Sequence, residues 1–570
     1  MWRFVDLTSS EKDARRRLLD QYSLTAHLLP LFPLLLLSLT YHLPRLLRFL
    51  HPSPSRPSSP HLKPPPSSPS LLSSSYVKFW LTSPAPSPLG LNLDTNALLL
   101  STLVWSLVLL YLSVAETGED YLHLTKRLGI VAASQLPWQY LLAWKSRFNP
   151  LALATGGDWT GLNSVHQALG RVVMVGLGAH AGLYLNFLVQ VGVLGKRVRD
   201  RDVMMGLVGV GLFGVMGGGA VGWVRERSYR AFVVAHVVTG AAVLPVMWAH
   251  VSHVRVFIAE AAVVWVVGVW LRAWETREVG ALVRGKGEGL VEISVARGGW
   301  KGWRPGQHLY LSLGKGGSLP TAAGRNPFSI ASLERDGRVR CVVRVMDGHT
   351  KNLVKGKAKR EERRTVKVEG PYGRGDHLER LLECDRVLMI AGGVGMTFIL
   401  PLLRELISGQ HQRRTKVEAI WAVKSMDEVD WIFDDLEDSG KDALKAHLTI
   451  FVTGLGSSPA HNAPTSTITT QDGASAQEDD TVDQDGAGVE MESLLANKST
   501  DQVKGTPTPR SGRPNLRRLI DQTFAQSATE KTGIYVCGPA GMGTKVRTDV
   551  SAHAARGRDV LFWSEEFGLN

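Results

Sequence analysis

The stretches Val165-His-Gln-Ala-Leu-Gly-Arg-Val-Val-Met-Val-Gly-Leu-Gly-Ala-His180 and Ala235-His-Val-Val-Thr-Gly-Ala-Ala-Val-Leu-Pro-Val-Met-Trp-Ala-His250 decide the reading of this chain. Each is apolar, and each carries His-x13-His: His166 with His180, and His236 with His250. Fourteen residues advance an ideal helix by about 21 Å and stop about 40° short of four full turns, nearly on the same face. Two such helices side by side present two facing histidine pairs, one toward each side of an apolar layer about 30 Å thick. Facing helices of a bundle hold cofactors in this way. Neutral imidazole is a good ligand for haem iron, and two axial imidazoles leave no open coordination position. The spacing therefore predicts two haem b groups, one between His166 and His236 and one between His180 and His250, forming a path for electrons across a bilayer. His253 competes with His250, but only His250 restores the matched spacing. Small residues at Gly170, Gly176, Gly178 and Gly182 would let a flat macrocycle approach the helix, or let helices pack closely. His123 is expected in a loop near the far surface.

Working outward, 570 residues imply several domains. The first half holds long uncharged apolar runs, and the second reads as ordinary α/β sequence. The net charge of +13 is explained by Lys and Arg that flank membrane spans and meet lipid headgroups and phosphate cofactors. No nucleic-acid-binding motif occurs, so no nucleic-acid partner is expected. Cys341, Cys384 and Cys537 all fall in the second half, which is no disulfide framework and suits a reducing compartment.

Candidate spans lie at about 24–43, 97–115, 127–144, 165–189, 203–223, 231–250 and 254–271. The third is the least apolar, with Gln135, Pro137 and Gln139. Residues 51–88, rich in Pro and Ser, read as an extended linker. Three loops set the orientation. Arg45, Arg48, Arg56, Lys63 and Lys78 follow the first span; Glu116, Glu119 and Asp120 follow the second; Arg225, Arg227 and Arg230 precede the sixth. Together they place the C-terminal half in the cytosol. The loop with Lys196, Arg197, Arg199 and Arg201 runs against that rule, offset only by Asp200 and Asp202.

Beyond Thr276 the pattern changes. Strand-like alternation appears at Leu290–Ala296 and Val339–Val345, and a mixed α/β region begins near Arg386. Residues 454–513 are rich in Ser, Thr, Gly, Asp and Glu, too poor in apolar surface to order themselves, and are expected to be a disordered insertion. Val387-Leu-Met-Ile-Ala-Gly-Gly-Val-Gly-Met-Thr397 reads as a strand, a glycine-rich turn and a helix to about Leu406. Its glycines, Gly392, Gly393 and Gly395, allow backbone to approach a pyrophosphate whose charge the helix N-terminus favours, with Thr397 in the first turn.

Four further stretches occur in a telling order: Trp303-Arg-Pro-Gly-Gln-His-Leu-Tyr310, Arg325-Asn-Pro-Phe-Ser-Ile330, Val343-Arg-Val-Met-Asp-Gly-His-Thr350 and Glu369-Gly-Pro-Tyr-Gly373. With the glycine turn and Ile534-Tyr-Val-Cys-Gly-Pro539 they resemble the ferredoxin-reductase superfamily. Residues from about 97 onward, including His166-Gln-Ala-Leu-Gly-Arg171 and Arg230-Ala-Phe-Val-Val-Ala-His236, resemble the fungal ferric reductases, transmembrane flavocytochromes related to the NADPH oxidases.

That resemblance implies a multi-domain fold: an α-helical transmembrane haem bundle, then an FAD-binding β-barrel and an α/β nucleotide-binding domain. The boundaries expected are 1–92 for the N-terminal span and linker, 93–275 for the haem domain, 276–385 for the FAD domain and 386–570 for the NADPH domain. Pro327, Phe328 and Ser329 would meet the flavin ring; Arg344, His349, Thr350 and Gly370 would complete its site. Gly538, Pro539 and Cys537 would lie by the nicotinamide, Lys424 would read the 2′-phosphate of NADPH, and Phe567 would stack on the flavin. Two departures stand out: Asn326 replaces the usual His before Pro-Phe, and Glu566-Phe-Gly-Leu569 replaces the usual Glu-Ser-Phe-x-Trp ending.

The implied activity is NADPH-driven reduction of ferric or cupric chelates across a membrane, with FAD and two haems as carriers. A plasma-membrane protein with a cytosolic reductase domain follows from the resemblance, as does a metal permease or oxidase as acceptor of the reduced ion. The alternatives are a superoxide-producing oxidase with the same wiring, and a nucleotide-binding membrane scaffold, which would leave the matched histidines unexplained.

Overall fold

A computed structural model describes residues 2–50, 74–86, 94–286, 289–296, 302–313, 326–345, 362–408, 415–434, 436–454, 509–539 and 541–567. The first half of the chain holds α1 (Ser9–Leu28), α2 (Leu31–Leu50), α3 (Ser74–Leu81), α4 (Asn96–Val114), α5 (Tyr121–Ala133), α6 (Leu136–Leu142), α7 (Trp159–Gln190), α8 (Arg201–Gly219), α9 (Tyr229–His250) and α10 (Arg255–Glu275), of which all but α3 build the membrane bundle. Six helical runs among the described residues are long and apolar enough to cross a membrane. Their outer faces are apolar and exposed, as at Leu107, Tyr111, Val175 and Val263, because the solvent there is lipid.

Three features differ from the expected spans. The first extends much further: a capping box, in which the Thr8 side chain accepts from the Glu11 N–H and the Glu11 carboxylate accepts from the Thr8 N–H at 2.7 Å, starts α1 at Ser9. The third is two short helices, α5 and α6, divided at Ser134–Gln135. Neither is long enough alone, yet together they follow α7 through the depth of the layer, Thr125 lying against His180 and Gln139 against His166. In the linker, residues 74–81 form α3, and Phe79 is buried in the core of the nucleotide-binding domain. The Arg547 guanidinium lies against both the Phe79 and Phe562 rings and donates to the Ser83 hydroxyl at 3.2 Å. The remainder of the expected linker, 51–73 and 87–88, lies outside the described residues.

The second half forms two sheets. The barrel strands β1 (Arg277–Gly285), β2 (Leu290–Ala296), β3 (His308–Leu313), β4 (Asn326–Ser329), β5 (Arg338–Arg344) and β6 (Glu362–Tyr372) pair antiparallel in the order β4-β3-β6-β1-β2-β5. Alternate side chains such as Ile293, Leu309, Cys341 and Val366 fill the barrel. The second sheet is parallel, with β7 (Arg386–Gly392), β8 (Lys416–Val423), β9 (Leu448–Val452), β10 (Arg510–Ser511), β11 (Thr532–Pro539) and β12 (Val560–Phe567) in the order β10-β9-β8-β7-β11-β12. Every residue of β7 is buried, as a central strand covered on both faces requires. Helices α11 (Met396–Ser408), α12 (Leu516–Ala525) and α13 (Met542–Ala555) flank this sheet. The layout is the expected one: a helical membrane bundle, then a flavin-type barrel, then a nucleotide-type α/β domain. Of the insertion predicted at 454–513, residues 455–508 lie outside the described residues; Arg510 and Ser511 pair with Phe451 and Val452.

Candidate electron-transfer site

The near-side pair comes together as the spacing requires: the His166 and His236 ring centroids are 6.2 Å apart, and the far-side His180 and His250 interact electrostatically. Two imidazoles bound axially to one metal at about 2 Å each would have centroids about 6 Å apart, so the His166–His236 separation fits a shared haem iron.

The rings are oriented from behind by backbone. His166 Nδ1 lies 3.0 Å from the Gln139 carbonyl, His180 Nδ1 2.7 Å from that of Thr125, and His250 Nδ1 2.6 Å from that of Asp202. A carbonyl only accepts, so each Nδ1 carries the proton and each Nε2 keeps its lone pair, the tautomer that binds metal. The His236 ring lies against the Met216 backbone, and its buried Nδ1 meets no acceptor in hydrogen-bond geometry among the described residues. Thr125 and Gln139 are themselves fourteen residues apart, as are Asp202 and Met216. Each histidine helix is thus backed by a preceding helical run with the same period.

Two glycines make room for the far pair. A Cβ on Gly129 would stand 2.7 Å from the His180 ring, and one on Gly206 would stand 2.7 Å from the His250 ring. These two residues carry no chemistry of their own and were not among the glycines singled out from sequence. Of those four, Gly170 and Gly176 pack against Gln139 and Ala132, as in ordinary helix contact, while Gly178 and Gly182 face open space. His123 is not in a loop: it lies on α5 and is buried.

A buried polar junction joins the membrane half to the barrel. Glu369, fully buried, accepts from Arg272 at the end of α10 through three contacts of 3.2 Å. The Tyr372 hydroxyl lies 2.9 Å from the same carboxylate, and the Lys145 ammonium is 3.8 Å away. Lys145 sits over the Tyr310 ring, and Trp159 at the start of α7 meets Tyr310 edge-on. Tyr310 pairs directly with Pro327 in the β3–β4 register. The membrane half therefore touches the strand pair that carries the expected flavin motif. Lys145, Arg272 and Glu369 lie far apart in sequence, and nothing marked them as partners.

For a flavin, β4 offers an edge: Asn326–Ser329 pairs on one side with β3, leaving its other side without a strand partner among the described residues. Pro327 is exposed, Phe328 is half-buried and packs partly on the barrel core, and Ser329 is half-buried. Gly370 adopts φ +126°, a conformation favouring glycine. Arg344, at the end of β5, is paired with Glu428 at 2.8 Å and approaches Gly393. His349 and Thr350 lie outside the described residues, and Phe567 is described only as the last residue of β12, without its side chain.

For a dinucleotide, β7 and β11 are adjacent central strands, and their glycine turns meet. A Cβ on Gly392 would stand 2.9 Å from Pro539, and one on Gly538 would stand 3.4 Å from the Gly392 nitrogen and collide with Met542. Gly393 has φ +52°, and Trp421 Nε1–H donates to its carbonyl at 2.8 Å. This bare backbone at the carboxyl ends of parallel strands, with Gly395 and Thr397 opening α11, is the usual place for a pyrophosphate. Lys424, following β8, is exposed.

Cys537 is fully buried, and burial pushes its thiol well above the ordinary value, so it is a neutral thiol at physiological pH. Glu565, its partner in the β11–β12 register, is pushed up to about 7 by burial; the Trp563 Nε1–H at 3.2 Å opposes that rise and the Asp158 charge adds to it. A carboxyl raised on folding binds a proton that the unfolded chain releases between about 4.5 and about 7. Stability is therefore expected to fall as pH rises through that window. Glu565→Gln should flatten the dependence in thermal melts at pH 5 and pH 8; an unchanged slope would contradict this assignment.

Comparison with known proteins gives three matches in chain order. Residues 128–247 match the ferric reductase like transmembrane component, 279–376 an FAD-binding domain and 384–551 the ferric reductase NAD binding domain. A probable metalloreductase of Scheffersomyces stipitis is 22% identical over 514 residues, covering 87% of this chain and 91% of that protein. A probable ferric reductase transmembrane component of Eremothecium gossypii is 28% identical over 325 residues, 50% of this chain and 45% of that protein. A superoxide-generating NADPH oxidase heavy chain of Dictyostelium discoideum is 22% identical over 277 residues, 43% of this chain and 34% of that protein.

Proposed function

The chain belongs to the ferric reductase family, a group of multi-pass membrane oxidoreductases with FAD- and NAD(P)-binding domains, and on that premise we propose that it carries electrons from NADPH across a membrane to a ferric or cupric chelate. The observation that carries this reading is the matched pair of histidine sites, each backed at the same fourteen-residue period. When bound, FAD supplies the conversion of a two-electron donor to single-electron traffic, and two haems supply redox centres inside the apolar layer.

The protein's work is to hold, orient and exclude. His166 with His236 is the near-side ligand pair and His180 with His250 the far-side pair; the carbonyls behind His166, His180 and His250 fix their ring rotation and tautomer. The edge strand Pro327–Ser329, with Arg344, His349, Thr350 and Gly370, receives the flavin. Gly392, Gly393, Gly395, Thr397, Gly538 and Pro539 receive the nicotinamide nucleotide, with Lys424 on its 2′-phosphate. Cys537 presents a neutral thiol beside the hydride path, and Phe567 covers the flavin face. Glu369, Lys145 and Arg272 hold the barrel against the near-side ends of the membrane helices. Domain boundaries at 93, 276 and 386 go with this assignment, as do a plasma-membrane location, a cytosolic reductase half and delivery of the reduced ion to a metal permease or oxidase.

The test is NADPH-driven reduction of ferric citrate by membranes carrying the chain, read with a ferrous-specific chelator with and without superoxide dismutase. Ferrous production that ignores the dismutase supports the reading. Production abolished by the dismutase would make oxygen the acceptor, the activity named for the Dictyostelium relative.

A further inference from the structure

One loop runs against the charge rule that orients the rest of the chain. Lys196, Arg197, Arg199 and Arg201 stand on the side away from the reductase half, with only Asp200 and Asp202 among them. The structure gives these charges a position. The loop ends where α8 begins, and the Asp202 carbonyl there holds His250 Nδ1 at 2.6 Å. On the other side, Arg197 lies within electrostatic reach of Tyr184, and the Tyr184 ring lies 6.0 Å from the His180 ring. The loop therefore touches the surroundings of both far-side histidines.

More positive charge converges on the same place. Lys126 directly follows Thr125, whose carbonyl holds His180, and Asp120 first, then Arg16 and Arg197, act on it electrostatically. Lys126, Lys196, Arg197, Arg199 and Arg201 are all exposed. The neighbouring acids are largely spoken for: Asp200 pairs with Arg197, Asp13 with Arg16 at 3.2 Å, buried Asp120 lies 3.9 Å from Arg15, and Asp20 pairs with His253 at 2.9 Å. A mouth lined by one sign of charge beside low-dielectric walls concentrates ligands of the opposite sign.

We propose that this basic mouth, formed by Lys126 and the 196–201 loop around Tyr184, is the docking site for the electron acceptor and selects anionic metal chelates, such as a carboxylate-coordinated ferric ion. The inference rests on the far-side acceptor reading and adds to it the acceptor's charge and the residues that meet it. The step at this site is a single electron transfer: the ferric ion becomes ferrous, and no bond in the chelate need form or break. Tyr184 stands beside His180 on the side of the loop that carries Arg197.

The test uses the full-length chain in sealed phosphatidylcholine vesicles, with NADPH on the reductase side and a membrane-impermeant acceptor on the other. Ferric citrate is the anionic acceptor and hexaammineruthenium(III) the cationic one. Arg197→Gln and the charge-reversing Arg199→Glu are expected to raise KM for ferric citrate at least fivefold while leaving KM for the ruthenium complex unchanged or lower. Added salt should act on wild-type protein in the same sense. Equal changes for both acceptors would mean that the loop serves the fold or binds lipid headgroups, and would overturn the proposal, as would no change for either. Wild-type vesicles that reduce neither acceptor would instead overturn the electron-transfer reading itself.

Discussion

His180→Ala is expected to reduce far-side ferric reduction at least a hundredfold while leaving NADPH oxidation by a dye at the reductase half within twofold of wild type. The substitution removes an imidazole whose Nδ1 is fixed on the Thr125 carbonyl at 2.7 Å, and nothing else on α7 at that level offers a nitrogen to replace it. Gly206→Val should have a similar effect without touching a ligand. A Cβ there already stands 2.7 Å from the His250 ring, and the valine methyl groups extend further. The two variants separate the ligand from the space that lets it stand in place. Haem content measured by absorbance, with acceptor reduction on both sides of the membrane, reads both effects. A Gly206→Val protein with normal spectrum and normal far-side activity would show that the glycine does not position His250.

Glu369→Ala is expected to uncouple the two halves. The carboxylate is fully buried, and its removal leaves the Lys145 and Arg272 cations without the anion they share in this buried junction. Removing one partner of a buried ion pair costs about 3–5 kcal/mol, most of it from the charge left behind. Here that cost falls on the contact between β6 and the ends of the membrane helices. The variant should keep hydride transfer from NADPH to a reductase-side dye, lose electron delivery into the membrane half, and become sensitive to proteolysis near Thr276. Lys145→Met combined with Glu369→Ala should recover part of the loss, because one stranded charge is gone. A Glu369→Ala protein with unchanged melting temperature and unchanged far-side reduction would contradict the role given to this junction.

The parts of the site that could be read from the sequence are those whose chemistry shows in the side chain. Histidine at a strict fourteen-residue period has few other uses in an apolar helix, so His166, His180, His236 and His250 announced themselves. What holds them did not, because the carbonyls of Thr125, Gln139 and Asp202 belong to the backbone and leave no mark in residue type. The available signal was indirect: Gly129 and Gly206 each fall four residues after one of those positions. Helix α3 was hidden by the Pro and Ser around it, although Tyr76, Phe79 and Trp80 form an aromatic group that a solvated linker would not need. The third span was legible as apolar but was not read as two helices, although Pro137, which cannot donate a backbone N–H to residue 133, stands in the first turn of the second; tertiary contacts hold the break at Ser134–Gln135. Gln135 Nε2 donates to the Ala26 carbonyl at 2.8 Å, and His27 Nδ1 lies 3.0 Å from the Ser134 carbonyl. The Glu369 junction pairs Glu369 with Arg272, 97 positions away, and with Lys145, more than two hundred away, pairings that no local pattern encodes.

The most direct measurement is the absorption spectrum of the purified full-length chain, oxidised and then reduced by NADPH in the absence of oxygen. Two haems per chain are expected, with the spectrum of six-coordinate bis-imidazole iron, both reducible by NADPH, falling to one or none in His180→Ala. A chain that binds FAD and NADPH but carries no haem, or whose haem persists unchanged when His166, His180, His236 and His250 are replaced, would contradict the assignment of these histidines as haem ligands.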